Sequence, residues 1–464
     1  MIRIMSGTAR MPYNHRVSFR TLAMSHPHTA SPDNPSRRHW LAAGAACGGA
    51  LLAPAIARAR ELLPAPKNRR VVIVGGGWGG LSTARHLREQ APGLDVVVIE
   101  RTSAFWSHPQ SNKWLVGLDG GTTLTHDRQT AAEAFGYALL HAEVIAIDRD
   151  NRQVVTAQGT VAYDWLVLAT GVRYDYTPWF GNDRRAADFA RRNYPPAFIG
   201  AEEALALKRK LEAFTGGDLL MTVPPMPYRC PPAPFERACM IGWWLKTRKI
   251  RGRLIVLDPN PPALGFDRIF RQHYADQIVY VPQATVKTLD PFSKRISTDF
   301  DTFDFTDAIL MPPQQASDLA WQAALIGRDA SGAPSGWAAQ DPLRLQSLSD
   351  ERIWLVGDLI DRASFLFGHY PKSGHLANRL GRIAAGQIAA RAHDKPLTPG
   401  LPDSVCYVHA KVEPLEMIRI DTAFRLRGDG VIMQTVKQHY DPNPRGEDAA
   451  WAAGMYAEFL AAPR

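Results

Sequence analysis

The sequence predicts an α/β chain with two Rossmann-like dinucleotide-binding domains and a smaller C-terminal α+β region. Three observations carry the α/β class and the first of these domains; the second domain and the C-terminal region rest on a resemblance carried by later segments. Arg70-Val-Val-Ile-Val-Gly75-Gly-Gly77-Trp-Gly-Gly80-Leu-Ser-Thr-Ala-Arg-His-Leu reads as a buried strand, a glycine turn and a helix. Asp95-Val-Val-Val-Ile-Glu100 supplies a second strand with an acidic end. Later apolar runs at Leu219 to Val223, Leu254 to Asp258 and Ala308 to Met311 alternate with helix-like segments, the rhythm of a parallel sheet.

The chain has 464 residues, 45% hydrophobic and 21% charged, ordinary for a globular protein of two to three domains. Its net charge of +9 is concentrated at the start, where Arg3, Arg10, Arg16, Arg20, Arg37, Arg38 and Arg58 face only Asp33. The remainder is mildly basic, with no pattern that calls for nucleic acid. Ser36-Arg37-Arg38-His39-Trp40-Leu41, an Ala/Gly/Leu run to Ile56 and Ala57-Arg58-Ala59 read as a twin-arginine export signal over residues 1–60. The apolar run is too short and glycine-rich for a span of roughly twenty residues, so no integral membrane segment is expected in the mature chain. A periplasmic, folded, cofactor-loaded protein is the expectation. Cys47 leaves with the signal.

Gly75-x-Gly77-x-x-Gly80 lets backbone approach a pyrophosphate at a helix N-terminus, and Glu100 can accept hydrogen bonds from adenosine ribose hydroxyls. Strand, helix and acidic residue all fall where a dinucleotide site needs them. FAD and NAD are not separated by this motif.

Met226-Pro-Tyr-Arg-Cys230-Pro-Pro-Ala-Pro-Phe-Glu-Arg237 sets a cysteine between the strand-like Gly217–Pro224 and the helix-like Phe235–Leu245. A helix start favours a thiolate, which makes Cys230 a candidate nucleophile; a buried structural thiol in a rigid proline loop fits the same residues. A second glycine fingerprint is missing here. Prolines remove the N–H donors that bind phosphate, so a nicotinamide site is disfavoured. Three cysteines remain beyond the signal, Cys230, Cys239 and Cys406, with no haem or zinc spacing and no metal site expected. Two of them could pair in an oxidising compartment.

Tyr163-Asp-Trp-Leu-Val-Leu-Ala-Thr170-Gly171 and Ile353-Trp-Leu-Val-Gly357-Asp358 resemble the later FAD segments of glutathione-reductase-like flavoproteins. With the proline and cysteine segment, Met311-Pro-Pro-Gln-Gln, Pro371-Lys372-Ser373-Gly374-His375-Leu376-Ala377-Asn378 and Ser404-Val405-Cys406-Tyr407, the chain resembles the flavoprotein subunit of flavocytochrome c sulfide dehydrogenase, a relative of sulfide:quinone oxidoreductase. The resemblance implies FAD, Asp358 at a ribityl hydroxyl, the Thr170-Gly171 turn near the cofactor and a redox disulfide joining Cys230 to Cys406. It divides the chain into an FAD-binding domain at 68–186 and 314–395, a degenerate nucleotide-binding domain at 187–313 and a C-terminal interface region at 396–464. Cys239, where the family has no redox cysteine, reads as core. His108 stands where the family often carries a flavin-tethering cysteine. The expectation is noncovalent FAD with His108 near the dimethylbenzene edge, although a histidyl link is chemically possible.

The implied activity is oxidation of sulfide, or another small reduced sulfur compound, to sulfur or polysulfide through that disulfide, with electrons passing by way of FAD to a c-type cytochrome subunit or soluble cytochrome c. Lys372 and the helix start at Ser373 are candidate support for negative charge on the reduced cofactor; a helix cap with a solvated lysine fits as well. The tail from Glu447 to Leu460 reads as core or subunit packing in preference to a quinone-side membrane helix. A sulfide:quinone oxidoreductase-like enzyme, an NAD(P)H-dependent flavin disulfide reductase and a non-catalytic flavoprotein partner stay open as other functions.

Overall fold

The computed structural model describes residues 60–262 and 265–461. The signal reading, its twin arginines and Cys47 lie outside the described residues.

In the first domain β1 (Arg70–Val74) is a run of β-branched residues buried on both faces, as a central parallel strand requires. Each such side chain contributes about 1.5–3 kcal/mol on full burial. Then come α1 (Trp78–Gln90), β2 (Asp95–Glu100), the short α2 (Ser111–Leu115), β3 (Ala138–His141) and β4 (Trp165–Leu168). The chain next builds β5 (Gly216–Thr222), α3 (Ala233–Thr247), β6 (Arg251–Asp258), β7 (Ile278–Pro282) and β8 (Asp307–Ile309). It returns through β9 (Gln346–Ser347), β10 (Asp350–Leu355) and α4 (Gly374–Ala392). It ends in β11 (Asp403–Lys411), β12 (Glu416–Leu426), β13 (Ile432–Asp441) and α5 (Glu447–Ala457). Shorter strands and helices fill the connections.

The first sheet has the order β9-β10-β4-β1-β2-β3, parallel except at the β9 edge. β10 pairs with β4 although nearly two hundred residues separate them, so both chain segments form one sheet. α1 and α4 pack together, with Ser82 Oγ donating to the Asn378 carbonyl at 2.9 Å. The second sheet, β7-β6-β5-β8, is wholly parallel. Both expected sheets are therefore present, and the predicted strands fall within about three residues of the observed ones.

β11, β12 and β13 form an antiparallel meander in which Cys406 pairs with Ile420. The tail folds back into the chain's own core. Met455, Tyr456, Phe459 and Leu460 are buried, and Trp78 of the glycine turn meets Phe459 and Tyr456 at ring distances of 5.1 and 5.6 Å. Among the described residues no helix is long and apolar enough to cross a membrane.

Candidate active site

The glycine turn is built by close backbone approach. Gly75 has φ +104°, and a Cβ on Gly80 would stand 1.8 Å from the Gly75 carbonyl oxygen. Gly77 caps α1 with no side-chain bond, and a Cβ there would meet nothing within 4 Å. The helix N-terminus thus opens onto free space with its N–H groups available for a phosphate. Glu100 accepts from Gly76 N–H at 2.8 Å and from Thr102 at 2.9 Å. Burial pushes its pKa up, but Arg128 and these hydrogen bonds outweigh that and leave it lowered, so the carboxylate is ionised. Arg128 was not singled out in the sequence. It is buried and donates to the Gly76 and Thr102 carbonyls at 2.7 and 2.6 Å, clamping the turn.

The corresponding turn of the second sheet is spent on itself. Asp258, the counterpart of Glu100 at the end of β6, accepts from Asn260 and from Tyr280 Oη at 2.7 Å. Asn260 in turn donates to the Pro224 carbonyl and accepts from Met226 N–H. The amides of Arg229, Cys230 and Ala233 are bonded to Gln314, the Lys372 carbonyl and the Cys230 carbonyl. With prolines at 224, 225, 227, 231 and 232, little remains to cradle a pyrophosphate.

What this turn presents is Cys230, half-buried and at φ +52°. A left-handed non-glycine residue costs about 1–3 kcal/mol and persists where its surroundings over-determine it. Here Cys230 N–H donates to Lys372 O at 2.5 Å, Ala233 N–H returns to Cys230 O at 2.9 Å, and Tyr228 Oη holds Pro231 O at 2.9 Å. The Cys230 and Cys406 thiols are neighbours, neither in a disulfide. The neighbouring sulfur, and then burial, push the Cys230 thiol well above its ordinary range. The expectation of a thiolate at a helix start is thereby corrected: α3 begins only at Ala233, and the neighbouring sulfur and burial dominate over the helix dipole. Cys239 is fully buried inside α3 within the apolar core, as expected.

Around the pair stand residues from both domains. Arg229 Nε donates to Asp358 Oδ2 at 2.7 Å, its Nη1 to Phe198 O at 2.7 Å, and its guanidinium lies against Gly171, itself at φ +68°. Thr170 Oγ1, in the same turn as Gly171, shares a hydrogen bond with Ser317 Oγ at 2.5 Å. Gly357 sits at φ +87°, turning β10 toward the buried Asp358. His108 is pushed well below the usual imidazole range by burial and by the cations Arg229 and Arg237; its Nε2 is buried without a partner. Lys372 is neither solvated nor free. Its Nζ donates to the Asp358 and Ile360 carbonyls at 2.8 and 2.9 Å and lies 3.7 Å from the Trp337 ring centre. Burial lowers its pKa to about 7. Ser373 caps α4, accepting from Leu376 N–H at 3.3 Å.

The structure therefore gathers Cys230, Cys406, Thr170, Gly171, Gly357, Asp358, Lys372, Ser373 and His108 around one region, while Gly75, Gly77, Gly80 and Glu100 form the turn at the end of β1 and β2. Arg229 and Glu236 belong with them and were missed. The signal for Arg229 was its place beside Cys230, and for Glu236 its place in the first turn of the following helix. The open α1 terminus, the ionised Glu100 and the unpartnered buried nitrogens of His108 and Gln314 fit an extended dinucleotide such as FAD.

Comparison with known proteins agrees. Residues 204–312 match the family described as sulfide dehydrogenase [flavocytochrome c] flavoprotein chain, central, and residues 69–194 match pyridine nucleotide-disulphide oxidoreductase. The sulfide dehydrogenase [flavocytochrome c] flavoprotein chain of Chlorobaculum thiosulfatiphilum is 50% identical over 44 residues, 10% of this chain and 92% of that sequence. The sulfide-quinone reductase of Aquifex aeolicus is 25% identical over 236 residues, 48% of this chain, so the match spans only 53% of that relative. The X-ray structure of the sulfide:quinone oxidoreductase from the same bacterium shares the fold, with a TM-score of 0.65 at 19% identity, covering 84% of this chain and 90% of that one. The chain belongs to the family of the flavocytochrome c sulfide dehydrogenase flavoprotein chain, on the pyridine nucleotide-disulphide oxidoreductase fold, and its cofactor is FAD.

Proposed function

We propose that this chain is a periplasmic sulfide dehydrogenase that works through a Cys230–Cys406 disulfide and delivers electrons to a c-type cytochrome. The observation that carries the reading is the nearness of the two thiols, Cys406 on β11 and Cys230 in the turn where a nicotinamide phosphate site would otherwise lie. In the oxidised pair, HS⁻ attacks one sulfur, breaking the S–S bond and leaving a persulfide on one cysteine and a thiolate on the other. A second HS⁻ removes the outer sulfur, and the two cysteines close again. The sum is two HS⁻ converted to HSS⁻, one proton and two electrons. FAD, when bound, supplies the two-electron sink.

Anaerobic sulfide is expected to bleach the flavin absorbance of the purified protein, and NADH is expected to leave it unchanged. Bleaching by NADH alone would identify a pyridine-nucleotide reductase instead, and bleaching by neither would point to a binding role. Reoxidation by cytochrome c but not by a short-chain quinone is the expected acceptor pattern; the reverse result assigns a quinone reductase. We also assign His108 a noncovalent place at the edge of the flavin ring, in line with the absence of a cysteine from Phe105 to Asn112. Acid precipitation should leave the flavin in the supernatant, whereas flavin in the pellet would show a histidyl link.

A further inference from the structure

Beneath the cysteine pair runs a buried chain of charges. Glu236 lies in the first turn of α3, the helix that follows Cys230, and His409 lies on β11, the strand of Cys406. His409 donates twice to Glu236 Oε1, from its backbone N–H at 3.0 Å and from Nδ1 at 2.9 Å. Its Nε2 faces Asp448 Oδ2 on α5 at 3.4 Å. Asp448 Oδ2 also receives Lys113 Nζ at 2.8 Å, and Gln110 Nε2 donates to the Asp448 carbonyl. Glu236 Oε2 accepts from Asn112 Nδ2 at 2.7 Å, and Asn112 Oδ1 accepts from the buried Arg237 at 3.0 Å. On the hairpin beyond, Lys411 and Glu416 pair with each other.

Two features set this array apart from a surface ion pair. The side chains of His409 and Asp448 are each only 4% exposed, so little water screens them. Both ring nitrogens of His409 also face carboxylate oxygens, which only accept when ionised. A neutral imidazole carries one N–H and would leave one contact without a proton, so the array is complete only with an imidazolium. The pKa agrees: burial alone would lower it, but the bonds to Asp448 and Glu236 raise it to about 9. The array joins four segments, those of Cys230, of Cys406, of α5 and of residues 110–113 beside His108.

We propose that His409, charged and gripped between Glu236 and Asp448, is a positioning residue that holds the Cys230 turn and the Cys406 strand at disulfide-forming separation. The redox equilibrium of the pair then depends on the charge of this ring. The inference rests on the reading of Cys230 and Cys406 as a redox pair, and its test separates the two.

Holoprotein is equilibrated in mixtures of reduced and oxidised glutathione at several pH values, and free Cys230 and Cys406 are counted by alkylation and mass spectrometry. In this exchange the two cysteine thiols give two electrons and two protons to oxidised glutathione, which leaves as two reduced molecules. Because the ring's pKa is raised, its effect is full at low pH and is lost as pH rises through about 9. Asp448→Asn weakens the hold on the proton, so its ring discharges earlier. At pH 8 its disulfide should be about tenfold easier to reduce than the native one, about 30 mV. At pH 6, and again well above 9, that gap should close. His409→Asn keeps a donor for Glu236 but no charge, and should show the gap at pH 6 as well. If only one variant folds with FAD bound, its own gap still has to vanish above pH 9. A gap constant at every pH would mean packing alone, and no gap would mean no role; either overturns the inference. A native protein that takes up no disulfide in oxidised glutathione would overturn the underlying reading instead.

Discussion

Replacing Cys406 with serine is expected to abolish bleaching of the flavin by anaerobic sulfide while FAD stays bound. The hydroxyl is smaller than the thiol and can still hydrogen-bond, and residue 406 is half-buried on a strand whose register is set by its ladder with β12. The fold should therefore persist. The chemistry should not, because an S–O pair forms no disulfide and HS⁻ then has no electrophilic sulfur to attack. Cys230 is left as a lone thiol in a buried site, and burial still disfavours its thiolate. Stopped-flow absorbance should show Cys406→Ser no faster than free FAD mixed with sulfide. Cys239→Ala is the control: it trims a fully buried core side chain further along α3 and should bleach at the native rate. Native bleaching by Cys406→Ser would remove the disulfide from the mechanism.

Gly80→Ala is expected to be the most damaging substitution in the cofactor turn. Its Cβ would lie 1.8 Å from the Gly75 carbonyl oxygen, a backbone atom that cannot rotate away. Gly75 is already fixed at φ +104°, with its own N–H bonded to the Ile99 carbonyl at 2.9 Å. Relief requires moving α1 away from β1, which separates the helix N-terminus from the strand ends that shape the site. Ordinary overpacking costs about 1–3 kcal/mol, and a backbone clash this short should exceed it. The expected result is a lowered Tm and protein that loses its yellow colour on desalting. Gly77→Ala sorts fold from cofactor. A methyl there meets no protein atom within 4 Å and Gly77 has φ −88°, so the melting temperature of the apoprotein should be unchanged while FAD affinity falls. Unchanged FAD affinity would show that the phosphates do not approach Gly77.

The first domain was legible because its signals are local. Glycines at fixed spacing, a β-branched run and an acidic strand end each act within about thirty residues, and the structure puts Gly75, Gly80 and Glu100 in mutual contact through the turn at Gly76. The second domain was legible as a departure from the same pattern, since prolines where glycines belong remove donors wherever the chain then runs. Family resemblance, and not spacing, supplied the partner of Cys230.

Other features belong to contacts that no local pattern announces. The raised Cys230 thiol depends on a sulfur 176 positions away and on burial, and so reverses the expectation from the helix start. The sequence leaves Lys372 open between a solvated lysine and support for the cofactor, and folding closes Trp337 and two carbonyls around it. Glu236, His409 and Asp448 look like scattered polar residues until three elements bring them together. Composition and spacing by themselves determined the α/β class, the dinucleotide turn and the loss of the second phosphate cradle, because those follow from backbone conformation and donor count. Only the tertiary structure decided the ionisation of the site and the placing of its two free cysteines side by side, because desolvation and charge pairing depend on which distant groups share a dry interior.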